Sequence, residues 1–158
     1  MKLLLVRHAA AVPRGTPGGH DDERPLTPKG KAKFTVAAKG LNRIARRPDV
    51  LLTSPLPRAR ATAEIAARAF KRIEPTIEPA LAHESLDGIV AVLSTHPPGA
   101  TVAIVGHEPT LSALLARLLG AAHGERLAFK KGGAALVDLP DGPTGLGVLL
   151  WFLKPKVL

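Results

Sequence analysis

Three short segments of the chain carry side chains that could bind and transfer an anionic group. Arg7 and His8 directly follow an apolar run near the N-terminus. Arg58 follows a proline-rich turn, and His107 follows a second apolar run and a glycine. A guanidinium group offers paired N–H donors to phosphate oxygens, and a neutral imidazole is a nucleophile. These residue types therefore indicate phosphoryl chemistry, provided that the fold brings the segments together.

The pattern along the chain predicts the elements that would do this. Short apolar runs alternate with helical periodicity and end in a hairpin. This predicts an α/β fold, namely a three-layer α/β/α sandwich with a mostly parallel central sheet and antiparallel strands at one side. The length favours a single domain spanning 1–158. The predicted strands are 2–6, 50–53, 73–77 (an edge strand, since it contains Pro75), 101–105, 134–139 and 147–153, and the predicted helices are 28–45 (capped by Thr27), 57–70, 85–95 and 109–119.

The predicted strands also indicate where the chemistry lies. In open α/β sheets, ligands bind at the carboxyl ends of the strands. Arg7 and His8 follow the first strand, Arg58 comes shortly after the second, and His107 follows the strand at 101–105. We therefore expect these four side chains to meet at one edge of the sheet.

Composition and charge narrow the possible functions. The net charge is +9, and the whole excess lies in residues 1–79. This imbalance favours an anionic partner, which could be nucleic acid, a membrane surface or a phosphorylated substrate. The absence of cysteine excludes disulfide scaffolds, thiol catalysis and zinc–thiolate sites. Four Phe and one Trp are too few for a nucleic-acid stacking platform.

The N-terminal residues do not have the pattern of a targeting segment. The apolar run at 3–6 is cut off at once by Arg7 and His8. A signal peptide needs a longer apolar stretch, and a membrane helix needs about 18 apolar residues. We therefore expect a cytoplasmic protein with no membrane partner.

The same segments resemble the motifs of a known family. LLLVRH at 3–8, SPLPRARATA at 54–63 and VGHEP at 105–109 are similar to the three motifs of the histidine phosphatase, or phosphoglycerate mutase-like, superfamily. The second of these has the pattern S-P-x-x-R-A-x-x-T-A. The short length and RPLTPKG at 24–30 resemble the SixA-type phosphohistidine phosphatase branch. Ala9 stands where the family usually has glycine, which requires a negative φ there or local adjustment.

The resemblance implies a phosphoglycerate mutase-like fold and a metal-independent phosphatase with no cofactor. His8 would form a covalent phosphohistidine intermediate, and Arg7, Arg58 and His107 would bind the phosphoryl group. One nitrogen of His8 would attack while the other donates a hydrogen bond, which we expect to reach a backbone carbonyl. A cluster of cations would lower the pKa of both histidines until phosphate binds.

Two further residues are candidates with open alternatives. The resemblance implies an acidic proton donor near Glu84, which could equally be a helix N-terminal residue favoured by the helix dipole. His83 is a weaker candidate for the proton donor. Arg24 is expected beside the pocket, where it either pairs with Asp21 to hold the loop or binds substrate directly.

The substrate also has alternatives. A short chain leaves little length for a cap over the pocket, so phosphohistidine on a protein is the first choice, with inorganic phosphate as product. A small phosphate ester hydrolysed by the same mechanism is the second. A noncatalytic phosphate or nucleic-acid binder, using the basic helix at 29–47, is a third possibility of a different class. The scarcity of aromatic residues argues against nucleic acid.

Overall fold

A six-stranded sheet forms the centre of the molecule. The computed structural model describes residues 1–83 and 85–158. Within these residues the strands are β1 (Lys2–Arg7), β2 (Val50–Thr53), β3 (Pro75–Ile77), β4 (Thr101–Gly106), β5 (Ala134–Asp138) and β6 (Val148–Leu153). Their spatial order is β3-β2-β4-β1-β5-β6. Strands β3, β2, β4 and β1 pair in parallel, whereas β5 pairs antiparallel with both β1 and β6. The predicted mixed sheet, with β3 at its edge, is confirmed.

Helices cover both faces of the sheet. They are α1 (Pro28–Ile44), α2 (Pro57–Ala69), α3 (Leu86–Ser94) and α4 (Thr110–Leu119). Alternate residues of β1 point to opposite faces, as strand geometry requires. Leu4 and Val6 pack with α1 and α2, whereas Leu3 and Leu5 pack with α3 and α4. The three-layer α/β/α sandwich is therefore confirmed.

Helix α1 begins as predicted. The Thr27 side chain accepts a hydrogen bond from the Gly30 amide at 2.9 Å, and Pro28 is the first helical residue.

The apolar residues Phe34, Leu41 and Ile44 of this helix recur at helical spacing, which predicts that Ile44 is buried. This prediction is wrong, because Ile44 is 47% exposed. Ile44 is the last residue of the helix, and Leu41 and Ala45 occupy the buried face at that end.

The strand register places the predicted site residues at one level. Arg7 pairs with Gly106 across β1 and β4, and Thr53 pairs with Val105 across β2 and β4. The residues that follow these strands therefore emerge side by side at the carboxyl edge of the sheet.

No helix in the described part of the chain is long and apolar enough to cross a membrane.

Candidate active site

The two histidines predicted from separate segments lie next to each other. The ring centroids of His8 and His107 are 5.1 Å apart, with the ring planes inclined by 51°. The His8 amide also donates to the Gly106 carbonyl at 3.0 Å. The parallel pairing of β1 with β4 thus joins parts of the sequence that are about a hundred residues apart.

His8 is buried in a geometry that determines its tautomer. His8 is only 5% exposed, and its Nδ1 lies 2.7 Å from the Ala9 carbonyl oxygen. A carbonyl oxygen only accepts, so Nδ1 carries the proton and donates it. Nε2 of the neutral ring therefore holds the lone pair. This is the backbone hydrogen bond expected from the sequence.

His107 contacts a hydroxyl group that the sequence analysis did not assign to the site. Its Nε2 lies 2.8 Å from Oγ of Ser54, which is fully buried at the end of β2. Its Nδ1 is buried and has no hydrogen-bond partner among the described residues. The contact with Ser54 therefore orients the ring and leaves Nδ1 available to a ligand.

Both histidines are held neutral. Burial, together with the charges of Arg58, Arg7 and Arg24, outweighs the opposing effect of the Ala9 hydrogen bond and lowers the pKa of His8 to about 4. Burial, followed by His8 and the same three arginines, lowers the pKa of His107 to about 3. Each imidazole disfavours protonation because it is desolvated among cations. An anion bound here would reverse the electrostatic part of that penalty.

The two arginines are each fixed by one carbonyl oxygen and each retain a free donor. Arg7 donates from Nη1 to the Phe129 carbonyl at 2.5 Å, and Arg58 donates from Nη1 to the Asp21 carbonyl at 3.1 Å. The Nε atom of each is buried without a protein partner within the described chain. Burial lowers the pKa of both guanidinium groups, yet arginine stays protonated.

The placement of Arg58 is electrostatically unfavourable without an anion. It is the second residue of α2 and is only 5% exposed. A helix N-terminus carries partial positive charge, so a buried cation there is repelled. Buried, unpaired donors are rare in folded proteins. Together with the free donors of Arg7 and His107, this position favours a bound oxyanion.

The segment after His8 is anchored on both sides. The Ala9 amide donates to Oγ1 of Thr62 at 3.0 Å, and Thr62 donates to the Arg58 carbonyl at 2.7 Å. On the other side, the Thr27 amide donates to the Ala10 carbonyl at 3.0 Å. Ala9 is not among the residues with positive φ, so alanine is accommodated in place of the usual glycine.

The loop containing Arg24 folds beside this cluster. Nε of Arg24 lies 2.8 Å from a carboxylate oxygen of Asp21, and Nη1 donates to the Val12 carbonyl at 2.9 Å. The predicted pairing with Asp21 is therefore present. The same loop supplies the Asp21 carbonyl that holds Arg58.

A sequence model of the histidine phosphatase superfamily (branch 1) matches residues 3–90. The chain belongs to this superfamily. A relative from Picosynechococcus sp., itself uncharacterized, is 35% identical over 145 residues, which cover 90% of this chain and 86% of the relative.

Solved structures agree with the family. The protein assigned as phosphohistidine phosphatase SixA from Agrobacterium tumefaciens is 27% identical, with a TM-score of 0.82 over 98% of this chain and 97% of that one. A protein assigned as an alpha-ribazole-5'-P phosphatase from Escherichia coli shares the fold at 20% identity, with a TM-score of 0.80 over 98% and 97% of the chains. The histidine phosphatase described here is of the SixA type and acts on phosphorylated substrates.

The two candidates for the proton donor, Glu84 and His83, are not part of the described cluster. Glu84 lies outside the residues that the structure describes, and His83 is exposed.

Sequence reasoning missed Ser54 and Thr62 as partners of site residues. Both stand in the second motif of this histidine phosphatase, so the motif itself was the signal that could have identified them.

The pKa values lead to a testable protonation pattern. At pH 7 we expect both His8 and His107 to be neutral in the free phosphatase, since both pKa values lie well below 7. Vanadate, which resembles phosphate, should raise the pKa of His107 because it adds negative charge beside Nδ1. NMR titration of the two ring signals, with and without vanadate, measures this. Two protonated rings in the free protein at pH 7 would contradict it.

Proposed function

We propose that this phosphatase removes phosphate from phosphohistidine on a protein, through a covalent intermediate on His8. The observation that carries the proposal is the cluster of His8 and His107, whose ring centroids are 5.1 Å apart, with Arg7 and Arg58 close enough to lower the pKa of both rings. Arg7, Arg58 and His107 each have a buried nitrogen without a partner among the described residues. Such a set of donors matches the oxygens of a phosphoryl group.

The first step transfers the phosphoryl group to His8. Nε2 attacks phosphorus, a P–Nε2 bond forms, and the bond from phosphorus to the substrate nitrogen breaks. The electron pair of that bond goes to the substrate imidazole, which leaves as a neutral ring because its other nitrogen carries a proton. The hydrogen bond from Nδ1 to Ala9 keeps the ring oriented and its nucleophilic nitrogen unprotonated.

The cations act mainly by positioning and by neutralising charge. Arg7 and Arg58 each contribute an Nε–H, and their carbonyl partners restrict the guanidinium planes. A phosphoryl dianion raises the pKa of His107, whose Nδ1–H then donates to an oxygen while Nε2–H donates to Ser54. The two arginine donors are in place before the substrate arrives, which is the condition for efficient electrostatic stabilisation.

The second step restores the enzyme. Water attacks phosphorus, the P–Nε2 bond breaks, and its electron pair returns to His8. Inorganic phosphate leaves, and His107 again loses its proton as the anion departs. His8 therefore divides one displacement into two easier ones.

Two arguments support phosphohistidine as the substrate. An imidazole is a better leaving group than an alkoxide, so the reaction depends less on a dedicated acid such as Glu84. The Agrobacterium relative is itself assigned as a phosphohistidine phosphatase. The second candidate is a small phosphate ester, which is favoured by the fold shared with the Escherichia coli alpha-ribazole-5'-P phosphatase.

Comparative assays separate these substrates. Purified protein should be tested with a chelator present against phosphohistidine-carrying phosphocarrier proteins and a panel of phosphate esters. We expect the highest kcat/KM on a phosphohistidine protein and no loss from the chelator, because the arginines supply the positive charge. Faster turnover of one small ester than of every phosphohistidine protein would instead support the second candidate.

A further inference from the structure

A groove beside the candidate active site has no role in the chemistry above. It is a cavity of about 530 Å³ between the first turns of α1 and the segment that follows β6. Phe34, Pro155 and Val36 contribute apolar walls, and Val36 is 67% exposed although it is apolar. The groove therefore presents apolar surface outside the core.

Three lysines surround this apolar surface. Lys33 extends from α1, Lys131 from the turn before β5, and Lys156 from the turn Pro155–Val157. All three are exposed, and none of the side chains that line the groove within the described chain is acidic. The groove thus combines apolar contact area with a rim of three lysine side chains.

The groove lies at the same edge of the sheet as His8. The Gly132 amide, in its wall, donates to the carbonyls of Arg7 and His8 at 3.2 and 3.1 Å. Ala134 pairs with both Val6 and Leu153, so the chain after β6 emerges at the level where β1 ends. Ala9, which follows His8, also lines the groove. A molecule in the groove is therefore adjacent to the pocket.

We propose that this groove, lined by Lys33, Lys131 and Lys156, binds an acidic segment of the phosphoprotein substrate that also carries apolar side chains. The inference rests on the proposed function and specifies the substrate surface next to the phosphohistidine. Carboxylates of the partner pair with the lysine rim, and its apolar side chains cover Val36 and Pro155. Because the rim is exposed, this pairing acts mainly on encounter and affinity and weakens with salt.

The test compares two substrates that share the same chemistry. A phosphohistidine phosphocarrier protein can reach both the pocket and the groove, whereas free phosphohistidine occupies the pocket alone. In the variant K33E/K131E/K156E we expect KM for the protein substrate to rise by roughly tenfold at low salt, which is the size expected for several exposed charge pairs. We expect kcat for the protein substrate to stay within about twofold of the wild-type value, because the pocket itself is unchanged. The same holds for all kinetic constants measured with free phosphohistidine.

A matched control has the same change in net charge elsewhere. K2E/R68E/R72E alters exposed cations at the start of β1, in the last turn of α2 and just after it, none of which lines the groove. We expect this variant to keep KM for the protein substrate within about twofold. The difference between the two triple variants should shrink as salt rises from roughly 0.05 to 0.5 M.

A neutral variant tests the apolar part separately. V36S removes exposed apolar surface and leaves charge and core unchanged, and we expect it to raise KM for the protein substrate by about threefold, the effect of one partly buried aliphatic contact. Unchanged KM in both V36S and the groove triple variant would overturn the proposal. Equal losses on free phosphohistidine would also overturn it, because the pocket rather than the groove would then be affected.

Two further outcomes separate this inference from the proposed function. If the wild-type protein hydrolyses free phosphohistidine and no phosphohistidine protein, the chemistry stands and the docking proposal fails. If it hydrolyses only phosphate esters, the proposed substrate itself fails, and the docking proposal with it. Stronger inhibition of protein dephosphorylation by a DNA duplex than by polyglutamate would assign the groove to nucleic acid and overturn the proposal.

Discussion

Replacing His8 with alanine is expected to abolish turnover, with a loss of roughly 10⁴-fold or more in kcat. The magnitude follows from removing the group that forms the covalent bond, which no other residue replaces. The ring of His107 lies beside that of His8, but its Nε2 contacts Ser54. Steady-state assays on phosphohistidine and on an activated phosphate ester measure the loss.

The intermediate can be observed directly. Wild-type protein quenched during turnover should carry a phosphoryl group that is labile in acid and stable in base, as expected for a phosphoramidate on imidazole. H8A should carry none. H123A is the matched control, because His123 is exposed and is not one of the site residues. Its Nδ1 lies 3.1 Å from a carboxylate oxygen of Glu125. Stoichiometric labelling of H8A would refute the assignment of His8 as the nucleophile.

A stability measurement distinguishes an H8A variant that is folded but inactive from one that is unfolded. The pKa of His8 is about 4 in the folded protein and about 6.5 in the unfolded chain, so the unfolded chain binds more protons between these values. The wild-type free energy of unfolding therefore falls as pH drops from about 6.5 to about 4. H8A lacks this contribution and should lose less stability over that interval in urea titrations.

Replacing Arg58 with alanine is the second large expected effect, a loss of roughly 10³-fold in kcat/KM. Arginines that stabilise charge in phosphoryl transfer contribute about 10³ to 10⁵ in rate. Arg58 is buried at the N-terminus of α2, where its Nε has no protein partner among the described residues. Vanadate binding should weaken in parallel, because the oxyanion loses the same donor.

The controls for Arg58 are a neighbour and a conservative variant. R60A removes an exposed arginine of the same helix and should change kcat/KM by less than about twofold. R58K retains the charge but not the planar donors, so it should recover only part of the loss. R58A should also unfold at a higher urea concentration than the wild type, since it removes a buried cation from the positive end of a helix dipole. A kcat/KM within tenfold of wild type in R58A would exclude Arg58 from the phosphate site.

Several features were predictable because they depend on local pattern. Strands such as β4 are continuous apolar runs, and helix α1 is marked by Thr27 and Pro28 at its start. Parallel strands in an α/β sheet place their carboxyl ends together, which made the meeting of Arg7, His8 and His107 predictable in kind. Ile44 was predicted wrongly, since periodicity does not show where the buried face of a helix ends.

By itself, the sequence determined the order of strands and helices, the motif residues and the excess of positive charge, because these follow from residue type and spacing. Only the tertiary structure decided which donors lack partners, that Ser54 contacts His107, and that three lysines from distant segments surround one groove. The physical reason is that hydrogen bonds and burial depend on separations of a few ångströms between residues far apart in the chain. Such separations are set by the packing of the sheet and its helices, and no local pattern encodes them.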